Sequence, residues 1–113
     1  MSYRVDGTTI YLTRGDTFEA RVEAILPDSE GAEPYVPMEG DTVRFAMKAN
    51  YEDEEPLVVK NIPIDTMLLI LTPEDTKGLP FGKYVYDIQI TYADGRVDTF
   101  ITKARLRLTE EVD

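Results

Sequence analysis

Nucleophilic and general-base catalysis need a particular inventory of side chains, and this chain is short of it. It contains no histidine and no cysteine, so a serine triad, an imidazole base, a thiolate nucleophile and a thiolate metal site all lack their central group. Its two serines are Ser2, near the chain start, and Ser29, in an expected loop tip. The 22 Asp and Glu residues leave paired-carboxylate hydrolysis formally open. A domain of 113 residues, however, must spend its inner faces on a core. The chain therefore reads as non-enzymatic, with no catalytic residue and no cofactor. Oxygen ligands cluster in "DSEGAE" from Asp28 and in "YEDEEP" from Tyr51. Neither follows the spaced pattern of a calcium loop, so both read as solvated loops and no metal site is expected. "RGD" at Arg14 to Asp16 would be an integrin tripeptide in an animal extracellular setting. It reads better as a turn, with Gly15 freeing the backbone and Asp16 bonding locally. Tyr3, Tyr11, Tyr35 and Tyr51 could stack on a sugar or meet a protein partner. Of these, Tyr11, Tyr35 and Tyr51 are the candidate interface residues, and the lack of any Trp weakens a flat sugar-binding platform.

Charge and hydropathy bound the partners. Twelve Lys and Arg against 22 Asp and Glu give a net charge of -10, which repels phosphate backbones and anionic lipid. Neither nucleic acid nor membrane is an expected partner. No run approaches the ~18 apolar residues of a membrane span, and "MSYRVDGTTIYLT" does not read as a secretory leader, so the cytosol is the default place of synthesis and residence. With 42% hydrophobic and 30% charged residues the composition is that of a globular chain, and its length suits one domain over residues 1–113.

The elements that must carry these residues are mostly strands. Turn signals recur about every ten residues, at "RGD", "PDSEG", "PMEGD", "NYEDEEP", "IPID" and "ADGR", the spacing of a sandwich of short strands. In "DTVRFAMKA" Val43, Phe45 and Met47 alternate with Thr42, Arg44 and Lys48. In "GKYVYDIQITY" Tyr84, Tyr86, Ile88, Ile90 and Tyr92 share one face. "ADGR" predicts a hairpin whose Asp-Gly pair takes positive φ, leading into "VDTFI"; "KARLRLT" is read as a further, closing strand with Ala104, Leu106 and Leu108 inward and Lys103, Arg105 and Arg107 outward. "DTFEARVEAIL" fits helix or strand by period, and the surrounding all-β pattern decides for strand. One helical turn or two is expected in "TPEDTKGL", with Thr72 as cap, Pro73 in the first turn and Gly78 as stop. Leu79 would then plug the bottom of the core.

"LTPEDTKGLPFGKYVYDI" resembles the corner before the sixth strand of immunoglobulin domains, with Asp75 and Tyr84 in the matching positions. The resemblance implies a tyrosine corner, in which the Tyr84 hydroxyl bonds to backbone near Asp75 to Leu79. Tyr86 stands where the family's cysteine would be, so Tyr86, Ile88 and Ile90 are expected to replace a disulfide with packed bulk. Only the architecture carries over: an all-β, immunoglobulin-like antiparallel sandwich of seven or eight strands with one short helical crossover. The structural corner is Asp75, Leu79, Tyr84 and Tyr86.

A likeness covering nearly the whole chain lies in the order of "LTRGDTFEARVEAILPDSEG", "GDTVRFAMK", "LTPEDTKGLPFGKYVYDIQITYADGRVDT" and a closing basic-apolar strand. This resembles small structural proteins of tailed bacteriophages and prophages, akin to the amino-terminal domain of baseplate upper proteins. The resemblance implies a tail or baseplate assembly module that contacts other tail proteins or copies of itself as a homo-oligomer. It further implies synthesis in the bacterial cytoplasm and a final place in the virion. A small carbohydrate-binding sandwich is the competing expectation.

Overall fold

A computed structural model of the chain describes residues 3–22 and 38–109. The expected "PDSEG" turn, Ser29, Tyr35 and the second half of "DTFEARVEAIL" lie outside the described residues. Eight strands and one helical turn are seen there: β1 Tyr3–Asp6, β2 Thr9–Thr13, β3 Phe18–Arg21, β4 Thr42–Lys48, β5 Val58–Ile62, β6 Leu68–Leu71, α1 Pro73–Thr76, β7 Gly82–Thr91 and β8 Val97–Thr109. They form a six-stranded sheet in the order β1-β2-β8-β7-β4-β5 and a two-stranded sheet of β3 and β6. The all-β sandwich expected from the sequence is the fold. Every pairing is antiparallel except that of β2 with β8, which is parallel.

The inner faces follow the period-two pattern. Ile10 and Leu12, Val43, Phe45 and Met47, Tyr84 to Ile90 at alternate positions, and Ala104, Leu106 and Leu108 are buried from the large sheet. Phe18, Leu69 and Leu71 meet them from the small sheet, with Val22 just beyond β3. "DTFEAR" is thus a strand despite its Ala and Glu, because Phe18 pairs with Leu71 and Ala20 with Leu69 across the small sheet. Tertiary burial overrides the helix propensity.

Two expectations about the carboxyl-terminal half are corrected. "VDTFI" and "KARLRLT" are one continuous strand, β8, rather than two. Its pairing with β7 shifts register between Tyr86 and Ile88 and again between Ile88 and Gln89, each shift adding a residue on the β8 side. These bulges break the alternation, so one bent strand reads as two in sequence. The β7–β8 hairpin is present, but its Asp-Gly pair does not take positive φ at both residues as expected. Only Gly95 takes positive φ, at 95°, while the Gly95 amide donates to the Tyr92 carbonyl and the Tyr92 amide to the Arg96 carbonyl. This is a longer loop closed by a glycine bulge, with Asp94 accepting the Arg96 amide instead of turning left-handed itself.

The hairpin is clasped from the side. Buried Asp41 accepts the Met38 amide on one carboxylate oxygen and the Ala93 amide on the other, at 3.2 and 3.0 Å. The approach is close enough that a Cβ on Gly40, whose φ is +93°, would lie 2.8 Å from the Ala93 side chain. Met67 is the one non-glycine described residue with positive φ, at 54°. Its side chain is buried, and its carbonyl accepts the Val22 amide at 2.8 Å. Burial and this bond hold a conformation that a bulky residue otherwise avoids.

Candidate functional site

The residues of the expected corner divide by role. Thr72 precedes α1, and the Asp75 carboxylate reaches back to accept its amide at 2.7 Å and its hydroxyl at 3.1 Å. Lys60 points inward from the edge strand β5 and places its ammonium 2.8 Å from the same carboxylate oxygen. Partial burial pushes the Asp75 carboxyl up, but the bonds from Lys60 and Thr72 together outweigh it and hold the group below its ordinary value. Leu79 is half-buried against the core, as a plug. Tyr84 is buried and its hydroxyl donates to the Pro80 carbonyl at 2.6 Å. The acceptor therefore lies one residue past the expected stretch from Asp75 to Leu79. The Leu79 carbonyl is already engaged by the Arg14 guanidinium at 3.2 Å. Tyr86 is set apart from this group: its hydroxyl donates to the Thr8 carbonyl in the β1–β2 turn, and its ring lies 5.2 Å from that of Phe45. It is a tether as well as the packed bulk expected of it.

"RGD" belongs to the same corner. The Arg14 guanidinium lies 4.0 Å over the Phe81 ring, the Gly15 amide donates to the Thr76 hydroxyl, and the Asp16 amide closes a turn onto the Thr13 carbonyl. These bonds tie the β2–β3 turn to the helical crossover. The tripeptide is thus used for structure.

The candidate interface tyrosines lie elsewhere. Tyr11, on the outer face of β2, is half-buried with the Arg4 guanidinium 4.3 Å above its ring. Tyr51 sits in the β4–β5 loop, where partial burial, helped by the Asp87 charge, pushes its hydroxyl up. With β8 and β7 between them, β2 and β4 lie three strand spacings apart, about 14 Å, too far for both rings to hold one sugar residue. Tyr35 lies outside the described residues. Tyr3 bonds the Glu19 carbonyl at 2.9 Å and packs edge-on against Phe18, tying β1 to β3.

What the sequence reading did not assemble is the outer face of the large sheet. Registry places Arg4, Tyr11, Arg107 and Lys83 in one row across β1, β2, β8 and β7. The next row holds Arg105, Val85 and Lys48, and Arg44 lies opposite Gln89 farther along. Arg4, Arg44, Lys48, Lys83, Arg105 and Arg107 make six of the chain's 12 cations. On the same strand face stand two acids, Asp6 and Asp87, so the described side chains of this face carry 6 − 2 = +4. The ion pairs among the described residues are Lys60 with Asp75 and Arg96 with Asp94, so none of the six is in one. Five are exposed and Lys48 is half-buried. Over the β4 side, Glu54 and Pro56 of the β4–β5 loop close a recess of ≈ 170 Å³ with Arg44, Lys48, Asp87 and Gln89. A signal was present in the sequence: outward strand positions are basic while the acids crowd the loops. It became visible only once strand order put β8 between β2 and β7.

Among the described residues no group of three or more His, Cys, Asp or Glu is placed to hold a metal ion. No helix of the described residues is long and apolar enough to cross a membrane. Comparison with family models, curated proteins and solved structures returns no match for the chain.

Proposed function

We propose that this protein is a non-enzymatic structural module of a bacteriophage or prophage tail or baseplate, working through protein–protein contacts. The observation that carries the contact role is the outer face of the large sheet: an array of six cations outside any described ion pair, five of them exposed, on a chain of net charge -10. Such an array steers and orients an acidic protein surface. Val59 and Leu57, 44% and 49% exposed on and beside edge strand β5, add apolar area to the rim. The phage setting rests on the order of motifs from "LTRGDT" through "LTPEDT" and "YVYDI" to "ADGR". In that setting the chain is made in the bacterial cytoplasm and ends in the particle. The sugar-binding alternative draws less support, since Arg4 occupies one face of the Tyr11 ring.

The test is to mix the purified chain with the virion proteins encoded beside it and to measure complex formation by size exclusion with light scattering. A stable complex or self-assembly is the expected result. Binding to cell-wall glycan, with no affinity for itself or for any of those proteins, would overturn the proposal.

A further inference from the structure

We infer that the recess over β4 is a binding site for a small zwitterion, an α-amino acid with a short side chain, held with its carboxylate toward Arg44 and Gln89 and its ammonium toward Glu54 and Asp87. The inference goes beyond the assembly reading and does not depend on it. The hollow has a structural cause. Val43, Phe45 and Met47 are buried, so Arg44, Ala46 and Lys48 take the outer face of β4. Registry sets Ala46 between Val59 of β5 and Asp87 of β7, with Arg44 and Lys48 about 7 Å to either side along its own strand. A methyl group among longer side chains leaves a gap, and Glu54 and Pro56 of the β4–β5 loop wall it. That wall is held in shape. The Asn50 amide donates to the Asp53 carboxylate at 3.0 Å, the Asp53 amide to the Asn50 carbonyl at 3.1 Å, and the Leu57 amide to the Met47 carbonyl at 2.7 Å.

The charges around the gap choose the ligand. Arg44 and Lys48 line it together with Glu54 and Asp87, so its formal charge is 2 − 2 = 0. Arg44, Lys48 and Glu54 are in no described ion pair, although all three border one recess of ≈ 170 Å³. Opposite charges thus stand around the space without closing on one another. A lone anion is drawn by the cations and opposed by the acids, and a lone cation meets the reverse. A molecule carrying both signs is complementary to both sets in one orientation. Gln89 fixes which end is which: it lies opposite Arg44 on β7, so its amide can donate beside the guanidinium fork that binds a carboxylate in bidentate fashion. Asp87 lies one row on, level with Ala46, where the ammonium of the same molecule falls. Ala46 and Pro56 supply the apolar floor and wall for a short side chain. A cavity of about 150 Å³ takes benzene, so the recess has room for alanine, which has the same number of heavy atoms.

Titration of the isotope-labelled full chain, followed by its amide resonances, tests the site with three probes at equal concentration and fixed ionic strength: L-alanine, acetate and methylammonium. The expected result is saturable shifts at Ala46, Asp87 and Gln89 with alanine and none with the two singly charged probes. Arg44→Gln and Glu54→Gln should each raise the alanine dissociation constant on the order of 10-fold, since each removes a hydrogen bond to a charged group. Both side chains are exposed, so neither change disturbs the core. Ala46→Leu should fill the recess and abolish the shifts. Acetate or methylammonium bound as tightly as alanine would overturn the zwitterion as ligand, and alanine without effect, or with shifts unaltered in Ala46→Leu, would overturn the site. The comparison of probes uses the wild-type chain alone and stays decisive whatever a variant does to the fold. None of these outcomes touches the assembly reading, whose test is complex formation with virion proteins.

Discussion

Raising the pH above 10 should destabilise this protein through Tyr86 in particular. The ring is 4% exposed, and burial pushes its hydroxyl from an ordinary 10.0 up to about 12. The neutral phenol is therefore favoured in the folded state. A folded value above the unfolded one gives stability that is complete below pH 10 and is lost as pH climbs toward 12. The gap corresponds to roughly 3 kcal/mol in total, of which about 1.4 kcal/mol is gone by pH 11. Replacing Tyr86 by Phe removes the titrating group, and at neutral pH it removes one hydrogen bond to the Thr8 carbonyl, about 0.5 to 1.5 kcal/mol. The wild type should thus be the more stable of the two at pH 8, and the curves should cross between about pH 10 and 11. Urea titrations of both proteins at half-unit steps from pH 8 to 12 would show it. Contributions common to both proteins drop out of the difference. Parallel stability curves over that range would refute the reasoning, since they would mean that the hydroxyl ionises with the same ease folded and unfolded.

Further expectations concern the clasp, the corner and the acid limb. Gly40→Ala should cost about 1 to 3 kcal/mol, from a positive φ and from overlap with Ala93. Adding Ala93→Gly should recover the overlap part only, and denaturant midpoints of the single and double variants would reveal an absence of rescue if the contact were unimportant. Tyr84→Phe should cost about 0.5 to 1.5 kcal/mol, since the Pro80 residue it leaves is exposed and water can reach the freed carbonyl. Ile88→Ala, at a site 2% exposed, should cost about 2 to 5 kcal/mol by opening a cavity. Both should leave partner affinity of the folded fraction unchanged, as read in a binding titration beside the melt. Asp75 has a folded value below its ordinary 3.8, so the stability it lends is present above that pH and lost as pH falls beneath it. Asp75→Asn should flatten this part of the acid limb in denaturant titrations between pH 5 and 2, and an unaltered slope would remove Lys60 and Thr72 from the account.

Local pattern made some features legible and left others hidden. Period-two burial in β4 and β7 follows from alternation alone, because each side chain's face is set by its neighbours along one strand. The helical turn of "PEDT" was legible for the same reason: its Pro, acids and capping Thr are read within five residues. The continuity of β8 was not legible, since two bulges reset the alternation and only the partner strand shows where the added residues go. Nor could the sequence choose among carbonyls for Tyr84, because the Pro80 and Leu79 carbonyls are adjacent in the chain and only the folded corner shows that Tyr84 bonds the first while Arg14, 65 residues from Leu79, bonds the second.

By itself, then, the sequence determined an all-β chain with a helical crossover, an excess of acid, and no imidazole or thiol for catalysis. These depend on composition and on contacts among residues close in the chain. Strand order was decided only in three dimensions: β8 lies between β2 and β7, parallel to one and antiparallel to the other. That order gathers Arg4, Lys83, Arg105 and Arg107, drawn from opposite ends of the chain, onto one face. No local preference encodes it. It follows from which arrangement buries Leu12, Phe45, Leu71 and Leu106 together, and the charges on the outer face are carried along by the burial of the inner one.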